Sequence, residues 1–319
     1  MQTIWHRLKR PFFALAPMEN VTDTVFRRIV ARCGRPDVFF TEFVSTEGMC
    51  SKGYERVKRR LEFTDEERPI IAQIWGSKPE KFFKAAKMVA SMGFDGIDIN
   101  MGCPDRKIVG KGSCSGLIRT PSLAQEIILA TKEGAGILPV SVKTRIGYKD
   151  IRTQEWIGFL LEQPIAAITI HARTVKEMSK VPAHWEEIEK AVLLKNQMKK
   201  DILIIGNGDV VSYKDAMAKY EHFKVDGIMI GRGIFDNLWI FRDLDPLKIS
   251  HEEKLRLLIN HISLFEKVWG TDKPYDVMKK FFKLYISDFP NATTLRSELM
   301  QSPTAKDAIS YIQSQLLKN

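Results

Sequence analysis

The sequence predicts an α/β protein, a TIM (β/α)8 barrel followed by a small all-α helical bundle, on three observations. Short, continuously apolar runs alternate with amphipathic segments, as is typical of parallel strands buried on both faces. The alternation gives eight units over about 240 residues, which matches a TIM barrel in count and length. Beyond about residue 250 helical patterns continue without strands. A doubly wound open sheet is the alternative, because periodicity alone fits it equally well.

Each predicted strand is a short apolar run. The eight runs are 12–16, 38–43, 70–74, 96–99, 140–143, 166–170, 202–205 and 227–230. Helices are predicted between them at 23–33, 79–92, 122–132, 153–161, 185–198 and 213–222. Pro79 and Pro121 lie close to two helix starts, where the missing proline N–H has no intrahelical partner to lose.

The C-terminal quarter of the chain predicts helices only. They span 252–269, 275–287, 294–301 and 304–317. We place a boundary near residues 243–250, where a proline and a plausible helix cap interrupt the pattern. The expected domains are therefore a barrel at 1–245 and a helical domain at 250–319.

The charge balance favours a polyanionic partner. The chain of 319 residues has 49 Lys and Arg against 39 Asp and Glu, a formal net charge of +10. Residues 1–60 contain twelve Lys or Arg and six Asp or Glu, and the run 52–60 alone has five basic residues and one acid. Because this run follows the second strand, it would lie on the mouth side of the barrel, as a nucleic-acid contact or as a solvated helix face.

Cysteine usage and hydropathy exclude several classes of protein. The four cysteines form no Cys-x-x-Cys pair, which argues against a zinc ribbon and against a secreted disulfide framework. The N-terminus lacks a full signal-peptide core, and no apolar run approaches the roughly 18 residues of a membrane span. We expect a soluble cytoplasmic protein without metal.

The residues that follow the strands are the candidate functional groups, because the chemistry of a TIM barrel lies at the carboxyl ends of its strands. In chain order they are Pro17 and Met18, Glu42, Gln73, Asn100 with Cys103, Lys143 with Arg145, His171 with Arg173, Asn207 with Asp209, and Gly231 with Arg232. Any one of them could simply be a polar group facing water, but the complete set favours a site.

Three of these features suggest chemistry. The loops IIGNGDV and IMIGRGI follow the last two strands, where many TIM barrels bind phosphate through backbone N–H groups. Lys143 ends an apolar run and could contact phosphate, form a Schiff base or stand beside an electron-rich cofactor. Cys103 could donate a proton or act as a nucleophile, or it could be a small buried apolar residue.

Several segments together resemble the tRNA-dihydrouridine synthase family. They are APMENVTDTVFRR, TEFVSTEGM, AQIWG, DINMGCPDRKIVGKGSCSGLI, VSVKTRIG, ITIHART, IIGNGDV and IMIGRGI. The resemblance spans the barrel, and the helical tail is similar to the RNA-binding domain of that family. It implies an FMN cofactor, NADPH as the electron donor, and reduction of uridine in tRNA to 5,6-dihydrouridine by a monomer.

The resemblance also implies residue roles. Cys103 would be the catalytic proton donor. Cofactor-binding residues would be Pro17, Met18, Glu19, Gln73, Lys143, His171, Asn207, Gly208, Asp209, Gly231 and Arg232. Substrate-binding residues would be Asn100, Arg145 and Arg173. The sequence departs from the pattern at Cys114, a second cysteine close to Cys103.

Other functions stay open. An FMN barrel could reduce a free small molecule in the manner of dihydroorotate dehydrogenases, although the helical domain and the basic excess argue against this. A Schiff-base lyase that uses Lys143 and an RNA-binding protein without chemistry are further alternatives. The modified RNA could also be ribosomal, and NADH could replace NADPH.

Overall fold

The computed structural model describes residues 3–317, which form two compact units. The first comprises the described residues as far as Thr24 together with Pro36–Arg232. The second comprises Val25–Arg35 and the described residues from Gly233 onward. The boundary expected at 245–250 therefore lies within the second unit, which also takes up one N-terminal helix. The division of roles between a catalytic domain at 1–245 and an RNA-binding domain at 250–319 stays a prediction.

Nine short strands form the sheet of the first unit. They are β1 Phe12–Leu15, β2 Phe39–Phe40, β3 Val44–Ser45, β4 Ile70–Trp75, β5 Gly96–Met101, β6 Val140–Arg145, β7 Ala167–His171, β8 Leu203–Asn207 and β9 Gly227–Ile230. The predicted run 38–43 is divided into β2 and β3, both of which pair with β4.

All strand pairs are parallel, and their order closes a barrel. The order is β1-β9-β8-β7-β6-β5-β4-β2. Val38, beside β2, bridges back to Ala14 of β1, and the Leu15 N–H donates to the Val38 carbonyl at 3.2 Å. The predicted TIM barrel is thus confirmed, and the open sheet is wrong, because the first strand pairs on both sides.

Fifteen α-helices accompany the strands in the described chain. They are α1 Ile4–Arg7, α2 Thr24–Gly34, α3 Thr46–Met49, α4 Tyr54–Lys58, α5 Pro79–Ser91, α6 Arg106–Val109, α7 Pro121–Ala135, α8 Thr153–Leu161, α9 Trp185–Gln197, α10 Tyr213–Phe223, α11 His251–Trp269, α12 Asp276–Lys279, α13 Phe282–Tyr285, α14 Ala292–Gln301 and α15 Ala305–Leu316. Within residues 3–317, no helix combines the length and apolar character that crossing a membrane requires.

Most helices begin and end within two residues of the predicted positions. Two predicted helices differ more: the helix predicted at 122–132 continues to Ala135 in α7, and the helix predicted at 275–287 is interrupted between α12 and α13. There the Phe281 N–H donates to the Met278 carbonyl at 2.9 Å, three residues back, so the chain makes a tight turn instead of continuing the α-helix. The short helices α1, α3, α4 and α6 were not among the predicted helices.

The core of the barrel is apolar at its amino-terminal end. Ile4 and Trp5 of α1 are buried in one cluster with Phe12, Ile205 and Met229. The rings of Trp5 and Phe12 lie 5.9 Å apart. This end is therefore filled by side chains, and the polar groups are left for the opposite end.

The second unit has its own core of aromatic rings. Phe26 of α2 stacks on Phe281 and Phe235, with ring centroids 5.1 and 6.4 Å apart. The ring nitrogen Nδ1 of His261 and the Tyr285 hydroxyl lie 2.7 Å apart, inside the same unit. These contacts explain why α2 belongs here although it precedes most of the barrel in sequence.

Gly134 of α7 tests the packing between α5 and α7, and Gly158 of α8 is its matched control. A Cβ on Gly134 of α7 would lie 2.2 Å from the Phe83 carbonyl oxygen, whereas a Cβ on Gly158 of α8 would meet only the Leu194 side chain, at 3.4 Å. We expect Gly134→Ala to destabilise the protein by about 1–3 kcal/mol through overpacking. We expect Gly158→Ala to be neutral or to stabilise by up to about 1 kcal/mol. Urea denaturation of both variants measures the difference, and equal midpoints would contradict the close approach.

Candidate active site

The polar residues predicted from the strand ends lie together at the carboxyl end of the barrel. The register places Asn100 of β5 opposite Lys143 of β6, and Arg145 of β6 opposite His171 of β7. His171 in turn lies opposite Asn207 of β8. Parallel pairing thus places groups from four successive strands at one level of the barrel mouth.

Asn100 fixes the start of the loop that carries Cys103. Its side-chain oxygen accepts the backbone N–H groups of Gly102 and Cys103, at 3.0 and 2.9 Å. The Asn100 side chain is almost fully buried, at 5% exposure, so these bonds are shielded from competing water. The side chain of Cys103 is consequently held at the strand exit, where it stays partly exposed.

The orientation of Asn100 depends on a buried chain of hydrogen bonds. Asn100 Nδ2 donates to Gln73 Oε1 at 3.0 Å, and Gln73 Nε2 donates to Asp98 Oδ2 at 2.7 Å. The Ser141 hydroxyl donates to Asp98 Oδ1 at 2.6 Å. An ionised carboxylate can only accept, so Asp98 sets the direction of the Gln73 amide and, through it, that of Asn100.

Cys103 has an acidic thiol. Its pKa is lowered to about 7, first by a hydrogen bond with the Cys114 side chain and, against the effect of burial, also by the Asp105 backbone N–H. The negative charges of Asp105 and Glu19 oppose this shift. Cys114 has the opposite shift, because its hydrogen bond to Cys103 and its burial raise its pKa well above the ordinary value.

Arg145 ties the Cys103 loop to the loop that follows β7. Its Nε donates to the Gly102 carbonyl at 2.8 Å, and its Nη1 donates to the carbonyls of Thr174 and Met178 at 3.0 and 2.8 Å. Burial lowers its pKa to about 10, so the guanidinium stays charged at neutral pH. Within residues 3–317 no partner of Nη2 is found, and two N–H groups are therefore available to a ligand.

Lys143 is a cation in a poorly hydrated position. Loss of hydration and the neighbouring charge of Arg145 lower its pKa to about 8, although part of the residue remains exposed. Its Nζ donates to Asn207 Oδ1 at 3.0 Å, and Asn207 Nδ2 donates to the Met229 carbonyl at 2.8 Å. Asn207 thus directs the ammonium across the mouth without neutralising it.

His171 is neutral. Burial and the surrounding cations, foremost Arg145 and Lys143, hold its pKa well below the ordinary value. Arg173 Nη1 lies 3.2 Å from His171 Nε2. Because a guanidinium can only donate, Nε2 is the acceptor and the imidazole proton is on Nδ1.

The loops after β7, β8 and β9 form a cationic cradle around one carboxylate, which we call the Asp209 cradle: Gly208, Asp209, Arg173, Arg232 and the backbone of Ala183. Asp209 Oδ2 accepts from Arg173 Nη2 and from the Ala183 N–H, the latter at 2.9 Å, and Arg232 Nη2 lies 3.5 Å from Oδ1. Partial burial would raise the pKa of Asp209, but these bonds outweigh it and lower the pKa.

Gly208 lines this cradle with backbone atoms only. Its φ is +136°, and a Cβ there would lie 2.8 Å from the Ala183 Cβ. The Gly208 carbonyl accepts the indole N–H of Trp185 at 2.8 Å, which fixes the loop from behind. A side chain at this position would clash, so any ligand meets main chain here.

The remaining predicted residues lie around the rim. Pro17 and Met18 are partly buried after β1, and the Met18 N–H donates to Thr22 Oγ1 at 2.9 Å. Glu19 is exposed and pairs with Arg60 at 2.9 Å. Glu42 is buried and accepts the Asn20 N–H.

The structure therefore joins the predicted residues into two groups. Asn100, Gln73 and Arg145 are linked by hydrogen bonds to the loop that carries Cys103, whereas Lys143, His171 and Asn207 are linked towards the Asp209 cradle. Arg173, expected to bind substrate, lies in this second group. The cofactor-binding and substrate-binding roles assigned to these residues from the sequence remain predictions.

Sequence reasoning missed Asp98, Ser141 and the contact of Cys114. Asp98 and Ser141 occupy strand interiors, where a charged or polar residue within an apolar run was the available signal. Nothing in the residue spacing places the Cys114 side chain against Cys103, because that contact depends on the path of the intervening loop. Within residues 3–317 no cluster of three or more His, Cys, Asp or Glu side chains could hold a metal ion.

Comparison with known proteins gives consistent matches. The family described as Dihydrouridine synthase (Dus) matches residues 14–319. The chain is 46% identical over 309 residues to a Bacillus subtilis protein named Probable tRNA-dihydrouridine synthase 2, and the alignment covers 96% of this chain and 94% of that protein. A Staphylococcus epidermidis protein named Probable tRNA-dihydrouridine synthase is 47% identical over 310 residues, with the same coverage.

Among solved structures, histamine dehydrogenase from Rhizobium sp. 4-9 shares the fold. The TM-score is 0.53 at 14% identity, and the match covers 79% of this chain. The matched part is 48% of the dehydrogenase chain, so this chain spans about half the length of that protein. At this identity the likeness concerns the barrel architecture alone.

The buried carboxylate predicts a pH-dependent stability. Burial raises the pKa of Asp98 from 3.8 to about 6, although Ser141, Gln73 and Lys143 act in the opposite direction. A raised carboxyl pKa contributes stability below about pH 4 that is lost as the pH rises through 6. The Asp98→Asn variant cannot ionise, so its stability relative to the unsubstituted protein should increase by about 2 kcal/mol between pH 4 and pH 7.

Urea denaturation across this pH range measures the difference between the two proteins. Asp150→Asn, at an exposed aspartate, is the matched control and should show a flat difference. A flat difference for Asp98→Asn as well would mean that Asp98 is ionised at low cost in the folded barrel.

Proposed function

The chain belongs to the dihydrouridine synthase family, and we propose that it reduces specific uridines of tRNA to 5,6-dihydrouridine, with FMN as cofactor and NADPH as electron donor. The printed names of its relatives support tRNA as the substrate. The observation that carries the proposal is the position of one partly exposed acidic thiol, Cys103, beside the Lys143 cation at the barrel mouth.

The residues of the mouth fit a planar cofactor that ends in phosphate. Within residues 3–317 Asn207 is the acceptor found for the Lys143 ammonium, which leaves two of its N–H groups for a ligand. His171 offers its Nδ1 proton, and Arg232 is two-thirds exposed at the cradle, with 66% of its side chain accessible. Together with the bare backbone at Gly208, this donor set suits the phosphate and ring edge of FMN.

Within the cradle, Asp209 acts on the arginines and not on the phosphate. Two carboxylate oxygens beside a phosphate would repel it, but both are occupied by Arg173, Arg232 and the Ala183 N–H. The carboxylate thereby fixes the direction of the two guanidinium groups. We therefore assign Arg173 to the cofactor side of the site.

The chemistry that a bound flavin supplies is hydride transfer to the uracil ring. The target uridine must leave its RNA stack to reach the barrel mouth. The positive charge of Lys143 stabilises negative charge that develops beside it, and its low hydration makes that stabilisation stronger than in water.

Cys103 supplies the proton to C5 of the uracil. A general acid works best when its pKa lies near the working pH, and a pKa of about 7 meets this condition. As the proton leaves, the hydrogen bond from Cys114 and the Asp105 N–H stabilise the thiolate that remains on Sγ. Asn100 keeps one Nδ2 proton and Arg145 keeps its Nη2 protons for contacts with the uracil.

The function is tested by mapping dihydrouridine in cellular RNA. Mass spectrometry of RNA from cells with and without the gene should show that specific tRNA positions lose the modification when the gene is deleted. Loss from ribosomal RNA alone would replace tRNA as the substrate, and unchanged dihydrouridine in all RNA would overturn the proposal. Reconstitution with purified protein and either NADPH or NADH then identifies the electron donor.

Replacing Cys103 separates cofactor binding from proton transfer. We expect Cys103→Ala to keep the flavin absorbance and to lower the turnover on the order of 10²–10⁴-fold, the range for loss of a general acid. Cys50→Ala is the matched control, since Cys50 lies in a loop after α3 with its Sγ 3.7 Å from the Lys81 carbonyl. Single-turnover reduction of tRNA measures the effect, and a Cys103→Ala rate equal to that of the control would reject the general-acid role.

The basic segment 52–60 is proposed to contact the RNA backbone. Lys58 pairs with Glu55, Arg59 lies 4.0 Å from Glu62, and Arg60 pairs with Glu19. Lys52 and Arg56 are exposed, and no acidic partner is found for them in the described chain. These two residues are therefore the freest to bind phosphate.

We expect Lys52→Glu with Arg56→Glu to weaken tRNA binding and to reduce the slope of log K against log salt by roughly 0.7 to 0.9 per lost phosphate contact. Lys199→Glu with Lys200→Glu is the matched control, because the turn between α9 and β8 lies at the opposite end of the barrel. Fluorescence titrations at several salt concentrations give the slopes. An equal slope for both double variants would remove segment 52–60 from the interface.

In the helical unit, Lys279, Lys280 and Lys283 are a second group of basic residues. Lys279 pairs with Asp276 at 2.7 Å, and Lys280 lies over the Phe281 ring, 4.8 Å from its centroid. Lys283 is exposed. We propose Lys283 as the phosphate contact of this group.

A further inference from the structure

The proposed reaction uses the thiol of Cys103 and leaves that of Cys114 without a chemical role. The side chains of the two cysteines interact, and this lowers the pKa of Cys103 and raises that of Cys114. The backbone holds them together, because both the Ser115 N–H and the Ser115 hydroxyl donate to the Cys103 carbonyl, at 3.4 and 2.8 Å. The residue directly before Ser115 is Cys114, so its contact with Cys103 is built into the loop.

The two cysteines differ in accessibility. Cys103 is partly exposed at the mouth, whereas Cys114 has no exposed surface. Cys114 also has a φ of +52°, a left-handed conformation that residues other than glycine seldom adopt. The loop thus holds a buried thiol behind an accessible one.

We propose that Cys103 and Cys114 form a dithiol that hydrogen peroxide oxidises reversibly to a disulfide, with Cys103 as the reacting thiol and Cys114 as the resolving thiol. An accessible, acidic cysteine next to a second cysteine is the arrangement found in peroxide-sensitive proteins. The loop between the two is short, so little chain entropy is lost when the bond closes.

The chemistry balances in two steps. The Cys103 thiolate attacks one peroxide oxygen, so that an S–O bond forms, the O–O bond breaks, and hydroxide leaves to become water. The Cys114 sulfur then attacks the Cys103 sulfenic sulfur, which forms the S–S bond, breaks the S–O bond and releases a second water with the Cys114 proton. Two thiols lose two electrons in total, and one peroxide is reduced to two waters.

The charges around the pair favour reaction at Cys103. Arg145 lies close enough to Cys103 for the thiolate charge to raise the Arg145 pKa, and the Asp105 N–H donates to the thiolate. The carboxylates of Asp105 and Glu19 act in the opposite direction, against formation of the thiolate. The pKa of Cys114 is raised by its interaction with Cys103 and by burial, and the same two carboxylates raise it further. Cys114 therefore stays a thiol until Cys103 is oxidised.

The disulfide would switch the enzyme off, since Cys103 would then hold no proton for the uracil. This consequence rests on the proposed function, whereas the formation of the bond does not. Both are therefore measured separately, on the full-length holoprotein.

The bond is tested by treating the reduced protein with an equimolar amount of hydrogen peroxide, blocking free thiols and digesting with trypsin. Cleavage after Lys87, Arg106, Lys111 and Arg119 leaves Cys103 in peptide 88–106 and Cys114 in peptide 112–119. We expect most of the protein to yield these two peptides joined by a disulfide, and dithiothreitol to separate them. Cys50 and the buried Cys33 are internal controls and should be recovered as blocked or unreacted thiols.

Two substitutions at the resolving position keep the test independent of folding. Cys114→Ser preserves the size of the side chain, and Cys114→Gly relieves the left-handed backbone. In both we expect Cys103 to stop at sulfenic acid, which dimedone traps, while the unsubstituted protein gives little dimedone adduct. A Cys103 sulfenic acid that persists in the unsubstituted protein, or oxidation of Cys50 at the same rate, would overturn the proposal.

Activity gives the second readout. Loss of tRNA reduction on oxidation, with recovery by dithiothreitol, supports the switch. If the joined peptides form and activity persists, Cys103 is not the proton donor, and the proposed mechanism fails while the dithiol chemistry stands.

Discussion

The Asn100 carboxamide is the interaction on which the rest of the site depends. Its oxygen accepts two consecutive backbone N–H groups where β5 becomes a loop, and so determines where the Cys103 side chain emerges. If the Asn100 amide were inverted, its N–H groups would face the backbone N–H groups of Gly102 and Cys103, and the loop would no longer be held. The inversion is prevented from inside the barrel, since Gln73 accepts from Asn100 only while its own N–H points to Asp98. A carboxylate buried two side chains away therefore controls the position of a surface thiol.

This arrangement requires the barrel to bury charges that it could avoid. Asp98 and Lys143 lie on adjacent strands, and the electrostatic effect of each on the other partly offsets its loss of hydration. The compensation is incomplete, because the pKa of each is still shifted towards its neutral form. Apolar residues at both positions would avoid this loss of hydration. What the charges provide is a fixed hydrogen-bond direction at Asp98 and a poorly hydrated cation at Lys143, both of which serve the mouth and not the core.

Much of the fold can be predicted from local sequence patterns, whereas the site can be predicted only in part. Apolar runs and helix starts such as Pro79 and Pro121 have short-range causes, so the β/α order and most boundaries could be predicted. The candidate residues could be found because a parallel barrel brings every strand end to one rim. Their partners could not be predicted. Arg173 turns towards Asp209, Asp98 directs Gln73, and Cys114 meets Cys103 through tertiary contacts between segments whose spacing in sequence gives no direction to a side chain.

The two halves of the barrel mouth differ in the charges that surround their functional groups. Around Lys143, His171 and the Asp209 cradle, cations accumulate until His171 is held neutral, which prepares that side for an anion. Around Cys103, the carboxylates of Asp105 and Glu19 counter the nearby donors, so the thiol retains a proton near neutral pH and does not become a permanent thiolate. Cys103 also lies close enough to Lys143 and Arg145 for its charge to raise the pKa of both, so the thiol stands between these cations and the two carboxylates. The placement of the thiol on the loop after β5, between charges of both signs, keeps its pKa close to neutral, which is the condition for the proton transfer proposed above.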